Sequence, residues 1–517
     1  MSKMYRILTM LLVVAFTCSS LVACGSGESA KDRAKDTIIY AQGADPRGLD
    51  PALIDDGESA KIVVNIYEGL LKYNKDSTNV EPSLAESWDT SSDGLTYTFH
   101  LRKGVKFHDG TDFNAEAVKF NIDRQLEPNV TEDMGYAGFV FGSVKDVEVV
   151  DEYTVKINMK SASTPFLNNL AMALGAPIVS PTALKKYNNN VNENPCGTGP
   201  YKFVSWTKSQ NVVLVRNDDY WGTKAVTKNV IFKFISDNSA RVVALNNGEA
   251  DIIDGIDATV VQQIKDANNN IYEAQGMNIN YMAFNTTKAP FDKKEVRKAL
   301  SQAVNVPELV KSLYQGYAEP ATSVMPSFMP GYDKSISQAS FDAEAAKSAL
   351  QAAGVTTLHM ITYTNPRPYN SANGQALAEA IQGYFKNVGV TATIDSYDWT
   401  TYKQKIKAGD YDVCFYGWIG DNGDPDNFMN LLSDSDPTMN VARWDFADFK
   451  ALISKGLSTP AGDERNKIYT DLEKMAAENS VWLPISHAKT LVGYSSNVKG
   501  FNYHMTGVIF LAETAKG

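Results

Sequence analysis

The chain has 517 residues, 44% of them hydrophobic and 21% charged, an ordinary globular composition that fits roughly two to four domains. Its formal net charge of −11 disfavours a nucleic-acid partner, which needs a basic footprint, and equally a polybasic membrane patch. No short repeat period is visible, which sets solenoids and propellers aside.

The N-terminus carries the strongest compositional signal. Lys3 and Arg6 precede an apolar run from Ile7 to Phe16 and then small residues up to Leu21-Val22-Ala23-Cys24, the order of a secretory signal peptide. The run has about half of the roughly 20 apolar residues that a membrane-spanning helix needs. The tetrapeptide LVAC resembles a bacterial lipobox, so residues 1–23 are expected to be removed and Cys24 to carry lipid. The polar stretch from Cys24 to residue 36 reads as a flexible tether between membrane and fold. Loss of Lys3 and Arg6 removes two positive charges and takes the net charge from −11 to −13. Cys196 and Cys414 are then the one pair that could bridge internally, in a compartment that permits disulfides. Cys414 lies in an apolar run, where a buried free thiol is expected.

In chain order, Thr37–Ala41 reads as a strand and Ser59–Leu71 as an amphipathic helix. Two strand-like runs, Leu95–Leu101 and Val144–Met159, flank the helix Asn114–Gln125. A polar stretch, Tyr187–Pro195, leads to the punctuating GTGPY at 197–201. Strands Val212–Arg216 and Val230–Ile235, helix Ser239–Asn246 and strand Ala250–Asp254 follow. The spacing predicts a helix over Asp292–Asn305, with Asp292 and Glu295 at capping-box separation and Val296, Ala299, Leu300 and Ala303 on one stripe. A helix over Asp342–Ala353 is stopped by Gly354. Strand Leu358–Tyr363, helix Ala372–Asn387, strand Val390–Ile394, helix Thr400–Ala408 and strand Tyr411–Tyr416 then alternate, the pattern of βαβ units and an α/β fold. Helix Gly462–Asn479 and short strands near Leu491–Tyr494 close the series.

Catalytic and metal motifs find no support. The five histidines form no metal-ligand spacing, and no GxSxG elbow, GxGxxG or phosphate loop occurs. GTGP at 197–200 lacks the Lys-Ser/Thr of a phosphate loop and reads as a structural turn. The acidic segment DNGDPDN, residues 421–427, fails as a calcium loop in both registers: from Asp421 the required oxygens fall on Gly423, Pro425 and Leu432, and from Asp424 on Phe428 and Ser435. No metal and no cofactor are expected.

Two loops suit ligand binding instead, because in open α/β sheets ligands bind beyond the carboxyl ends of strands. The loop NPRPYN, Asn365–Asn370, holds Arg367 between two prolines that stiffen its backbone, which suits bidentate capture of a carboxylate. The segment YGWIGDNGDPDN, Tyr416–Asn427, places Trp418 and Asp421 just after a strand, an aromatic wall beside an anchor for a cation. Each residue alone reads as ordinarily as a surface Arg or a turn Asp. A fixed cation facing a fixed anion across one cleft matches a zwitterion such as a peptide with free termini. Asp424 and Asp426 are read as turn and cap residues.

Five further segments carry a resemblance. AESWDTSSDGLTYTFHLRKGVKFHDG (85–110), GTGPYKF (197–203), RNDDYWG (216–222), GEADI (248–252) and FDKKEVRKALSQAVN (291–305) are similar, in the right order, to stations of the peptide/nickel family of ABC-transporter solute-binding proteins, family 5. The resemblance runs from about residue 37 to 505, and NPRPYN and GWIGDNGDPDN look like the dipeptide-binding branch. It implies that Arg367 holds the ligand carboxylate and Asp421 the α-ammonium, with Trp418, Gly420 and Tyr369 at the pocket. The loop AQGADPRGLDP (41–51) occupies the position where the family lays backbone against ligand, but is less similar to the dipeptide branch. The family fold is a two-lobed periplasmic-binding-protein α/β fold with a hinge and an inserted domain. Mapped here, lobe I takes 37–80, 196–283 and 490–517, the insertion 81–195, and lobe II 284–489. Implied partners are a short peptide, ABC permease subunits with cytoplasmic ATPases, and the membrane through the Cys24 lipid, with the protein itself a monomer. Longer peptides, haem, a metal chelate and a sensing rather than importing role stay open, and no residue pattern supports an enzyme.

Overall fold

The computed structural model describes residues 35–337 and 340–517, so the predicted signal peptide, Cys24 and all but the end of the tether lie outside the described residues. Three larger sheets organise the rest. A seven-stranded sheet runs in the order Asn270–Ala274, Thr490–Tyr494, Ile252–Ile253, Thr37–Gln42, Asn229–Phe234, Asn211–Arg216, Tyr201–Thr207. Thr37–Gln42 has parallel neighbours on both sides and is mostly buried, whereas Asn211–Arg216 alternates buried and half-exposed positions, as a sheet with one wet face requires.

A four-stranded antiparallel sheet, Ala85–Thr90, Thr96–Leu101, Thr154–Met159 and Val144–Asp151, shares one hydrophobic core with the seven-stranded sheet. The run Val144–Met159, read from sequence as one strand, is a hairpin: the Asp151 carboxylate accepts from Tyr153 N at 2.9 Å and reverses the chain. Helix Ala115–Asp123 packs against it, with Asn114, the first residue of the predicted helix, as its N-cap.

The six-stranded sheet has the order Ala318–Pro320, Trp482–Ala488, Asn278–Phe284, Val413–Ile419, Thr357–Tyr363, Thr391–Tyr397, and a separate core. Strand Asn278–Phe284, assigned to lobe I by the mapping, belongs here, buried at every position. The predicted βαβ alternation holds: Thr357–Tyr363 lies parallel to both Thr391–Tyr397 and Val413–Ile419, linked by helices Gly374–Asn387 and Trp399–Ala408. The chain thus crosses between the two large sheets twice, near residues 275–277 and 489. Asn278 ties these crossings together: its Nδ2 donates to Ala488 O and its Oδ1 accepts from Ala488 N, both at 2.8 Å. Such short paired connections are where hinge motion is absorbed.

Two predicted helices are shortened, each for a local reason. The helix predicted to reach Leu71 is Gly57–Ile66, and it stops where the backbone of Gly197 and Gly199 packs on the Ile66 carbonyl. A Cβ at Gly197 would lie 2.3 Å from that oxygen, so GTGP is a close-approach turn, as read. The helix predicted over Asp292–Asn305 is Lys294–Gln302, with Lys293 rather than Asp292 at the N-cap; the Asp292 carbonyl instead accepts from the buried Arg297 at 3.0 Å. Asn305 then caps a second, unpredicted helix, Val306–Tyr314. Cys196 and Cys414 are free and buried in different cores, and burial pushes the Cys196 thiol up to about 12. No helix among the described residues is long and apolar enough to cross a membrane.

Candidate ligand-binding site

Arg367 and Asp421 both follow the carboxyl ends of neighbouring parallel strands, Thr357–Tyr363 and Val413–Ile419, the position where α/β sheets hold ligands. The second strand extends past the predicted end at Tyr416 to Ile419, so Trp418 is a strand residue, half-buried against the core of the six-stranded sheet.

Asp421 is held by neutral donors. Tyr136 Oη donates to its Oδ1 at 2.9 Å, Asn427 Nδ2 donates to its Oδ2 at 3.2 Å, and its own N–H donates to Asn427 Oδ1 at 3.2 Å. Trp418 Nε1 donates to the same Asn427 oxygen at 2.7 Å, which fixes the indole beside the carboxylate. Burial raises the Asp421 carboxyl above the ordinary range, opposed by the Asn427 and Tyr136 bonds; no basic side chain contributes. A half-buried, partly desolvated carboxylate without a cation costs free energy that a cationic ligand would offset.

Arg367 has the opposite character. Its guanidinium lies over the Trp399 ring, 4.0 Å from the centroid, its Nε is buried without a hydrogen-bond partner, and it makes no salt bridge among the described residues. Gly420 is a close-packing point, since a Cβ there would sit 2.8 Å from Phe428 and 2.9 Å from Met277. Tyr369, predicted as a pocket wall, is only 4% exposed and its ring lies on Gly417, where a Cβ would come within 2.2 Å of it. The loop 41–51 is braced from behind by Asp50, whose buried carboxylate pairs with Arg124 at 3.0 Å. None of its side chains bonds Asp421 or Arg367.

Asp424 is more than a turn residue. It does accept from Asp426 N at 3.0 Å, but it also forms a buried bidentate pair with Arg465, both bonds 2.8 Å. Asp426 is pushed up to about 7 by burial and by the Asp424 charge. The same turn also bonds residues that pack with the core shared by the seven- and four-stranded sheets. Asn422 O accepts from Asn168 Nδ2 at 3.0 Å and from Tyr73 Oη at 3.3 Å, and Asn422 Nδ2 donates to Asn169 Oδ1 at 2.7 Å. The acidic turn is therefore bonded to the same core that Tyr136 packs against.

Sequence reasoning missed Tyr136, Asn427, Trp399 and Arg465. Tyr136 is 285 positions from Asp421 and carries no local motif, whereas Asn427 sits within the quoted acidic segment. Tyr136→Phe removes a hydrogen bond to a charged acceptor and should weaken ligand binding about 10- to 100-fold, checked by calorimetry against the wild type.

A model of the middle region of the bacterial extracellular solute-binding proteins, family 5, matches residues 79–440. The chain belongs to this family. Family 5 members are solute-binding components of ABC importers, not enzymes. The family 5 chain is 32% identical to the dipeptide-binding protein of Escherichia coli, covering 93% of this chain and 94% of that one. It is 31% identical to haem-binding protein A of Haemophilus influenzae, covering 95% and 94%. Its fold is similar to that of a dipeptide-binding protein of Pseudoalteromonas sp. SM9913 solved with Met-Leu, with a TM-score of 0.78, 27% identity and coverage of 93% and 100%. These likenesses put it near the dipeptide-binding branch, and the two-lobed α/β fold agrees.

Proposed function

We propose that this chain captures short peptides, dipeptides foremost, by closure of its two lobes, and delivers them to ABC permease subunits with cytoplasmic ATPases. One observation carries the reading: two unpaired opposite charges stand at the ends of adjacent parallel strands, Asp421 among neutral donors and Arg367 on an aromatic face. A zwitterion answers both. Asp421 takes the α-ammonium and Arg367 the α-carboxylate, with Trp418 and Gly420 shaping the wall between and Tyr369 supporting it. The seven-stranded sheet and the four-stranded insertion form one lobe, the six-stranded sheet the other, and closure turns on the crossings at 275–277 and 489. Lipid on Cys24 holds a monomer on the extracytoplasmic face, and the tether sets its reach to the permease.

The likeness to a haem-binding protein raises a competing ligand. Haem offers propionates to Arg367 but no ammonium, and so leaves the half-buried Asp421 unpaired, which disfavours it here. Calorimetry with Met-Leu, N-acetyl-Met-Leu, the tetrapeptide Met-Leu-Met-Leu and haemin separates the readings. The dipeptide is expected to bind best, because the Arg367–Asp421 separation acts as a ruler. Equal binding of the three peptides contradicts the dipeptide assignment, and tighter binding of haemin replaces it.

A further inference from the structure

Arg367 is held at both ends. Its backbone exchanges two hydrogen bonds with Asn370, N to O at 3.0 Å and O from N at 2.8 Å. Asn370 is wholly buried: its Oδ1 accepts from Tyr314 Oη at 2.8 Å, and its Nδ2 donates to Tyr363 Oη and Asn373 O, each at 3.0 Å. The charged end rests on Trp399, the first residue of helix Trp399–Ala408. Trp399 is itself stacked on Tyr416, with centroids 5.5 Å apart and an interplanar angle of 30°, and meets Tyr363 edge-on at 5.5 Å. Tyr402 backs both rings and donates to Phe415 O, so this platform is anchored in the strand that leads to Asp421.

We propose that Trp399 is a positioning residue for ligand capture: its face holds the Arg367 guanidinium ready for bidentate pairing with a ligand carboxylate without neutralising it. This rests on the reading of Arg367 as the carboxylate anchor. A carboxylate side chain in place of Trp399 would also fix the guanidinium, but would compete with the ligand for its N–H groups. An aromatic face attracts the cation through its quadrupole and leaves the planar fork of donors free. A guanidinium already stacked also loses less rotamer freedom when the carboxylate arrives.

The test compares Met-Leu with its C-terminal amide, by competition calorimetry, on the wild type, Trp399→Leu, Trp399→Phe and Arg367→Gln. Trp399→Leu should weaken the free acid about 3- to 30-fold and leave the amide unchanged, so that the acid/amide preference falls. Trp399→Phe should keep most of that preference, and Arg367→Gln should abolish it. If Arg367→Gln leaves the preference intact, the carboxylate reading fails and takes the positioning role with it. If Arg367→Gln abolishes it while Trp399→Leu weakens acid and amide equally, or neither, the positioning role alone is overturned. Should Trp399→Leu fail to fold in a thermal melt, Trp399→Phe decides: a preference lowered about twofold supports the role, and an unchanged one overturns it.

Discussion

Asp421→Asn should weaken binding of Met-Leu by roughly 30- to several-thousand-fold and leave the unliganded protein at least as stable as the wild type. The two halves have one cause. In the structure Asp421 is partly desolvated and, among the described residues, its carboxylate is bonded only to Tyr136 and Asn427, so its charge costs free energy until an ammonium arrives. Asparagine keeps the shape, still accepts from Tyr136, and removes that cost, but cannot pair with a cation. Thermal melts and calorimetry on the same sample read both effects. A pH dependence follows from the raised carboxyl. Its folded value lies above the unfolded one near 4, so its contribution to unliganded stability is full below about pH 4 and lost as pH rises through the folded value. Binding runs the other way: the ammonium needs the ionised form, so affinity falls as pH drops through that raised value, and Asp421→Asn removes this limb.

Arg465→Met should destabilise the fold by about 3–5 kcal/mol in urea unfolding, because it strands Asp424 as a buried charge without its partner. Both side chains are almost wholly buried and joined by two 2.8 Å bonds, while Arg465 Nε also donates to Gly456 O at 2.8 Å. The double variant Asp424→Asn with Arg465→Met should recover a large part of the loss, since neither member is then left charged and alone. The Asp424–Asp426 turn follows Asp421 directly, so Arg465→Met should weaken peptide binding as well. Loss of stability without any loss of affinity would show that the ion pair supports the lobe but not the anchor.

Much of this was legible in the chain. The βαβ alternation between Leu358 and Tyr416 marked three of the six strands of that sheet, Thr357–Tyr363, Thr391–Tyr397 and Val413–Ile419, because they alternate with helices that have their own caps. The strand ends before Arg367 and Asp421 then marked the two loops that we propose face the ligand. What escaped either lacks a strong local signal or depends on tertiary contact. The hairpin at Val144–Met159 is turned by Asp151 alone, with neither Gly nor Pro to announce it. The start of helix Lys294–Gln302 is displaced by bonds from the buried Arg297, which the capping-box spacing does not encode. Tyr136, Trp399 and Arg465 come from distant segments, and their partners exist only once the sheets are packed. Asp424 looked like turn chemistry because its short-range bond to Asp426 N is real; the bond to Arg465 spans 41 positions.

The most direct measurement is a two-by-two calorimetric comparison of wild type and Asp421→Asn, each with Met-Leu and N-acetyl-Met-Leu. Wild type should prefer the free amine by at least about 30-fold, and the variant should bind both peptides alike at the weaker level. A variant that keeps the preference for the free amine would contradict the assignment of Asp421 as the ammonium anchor.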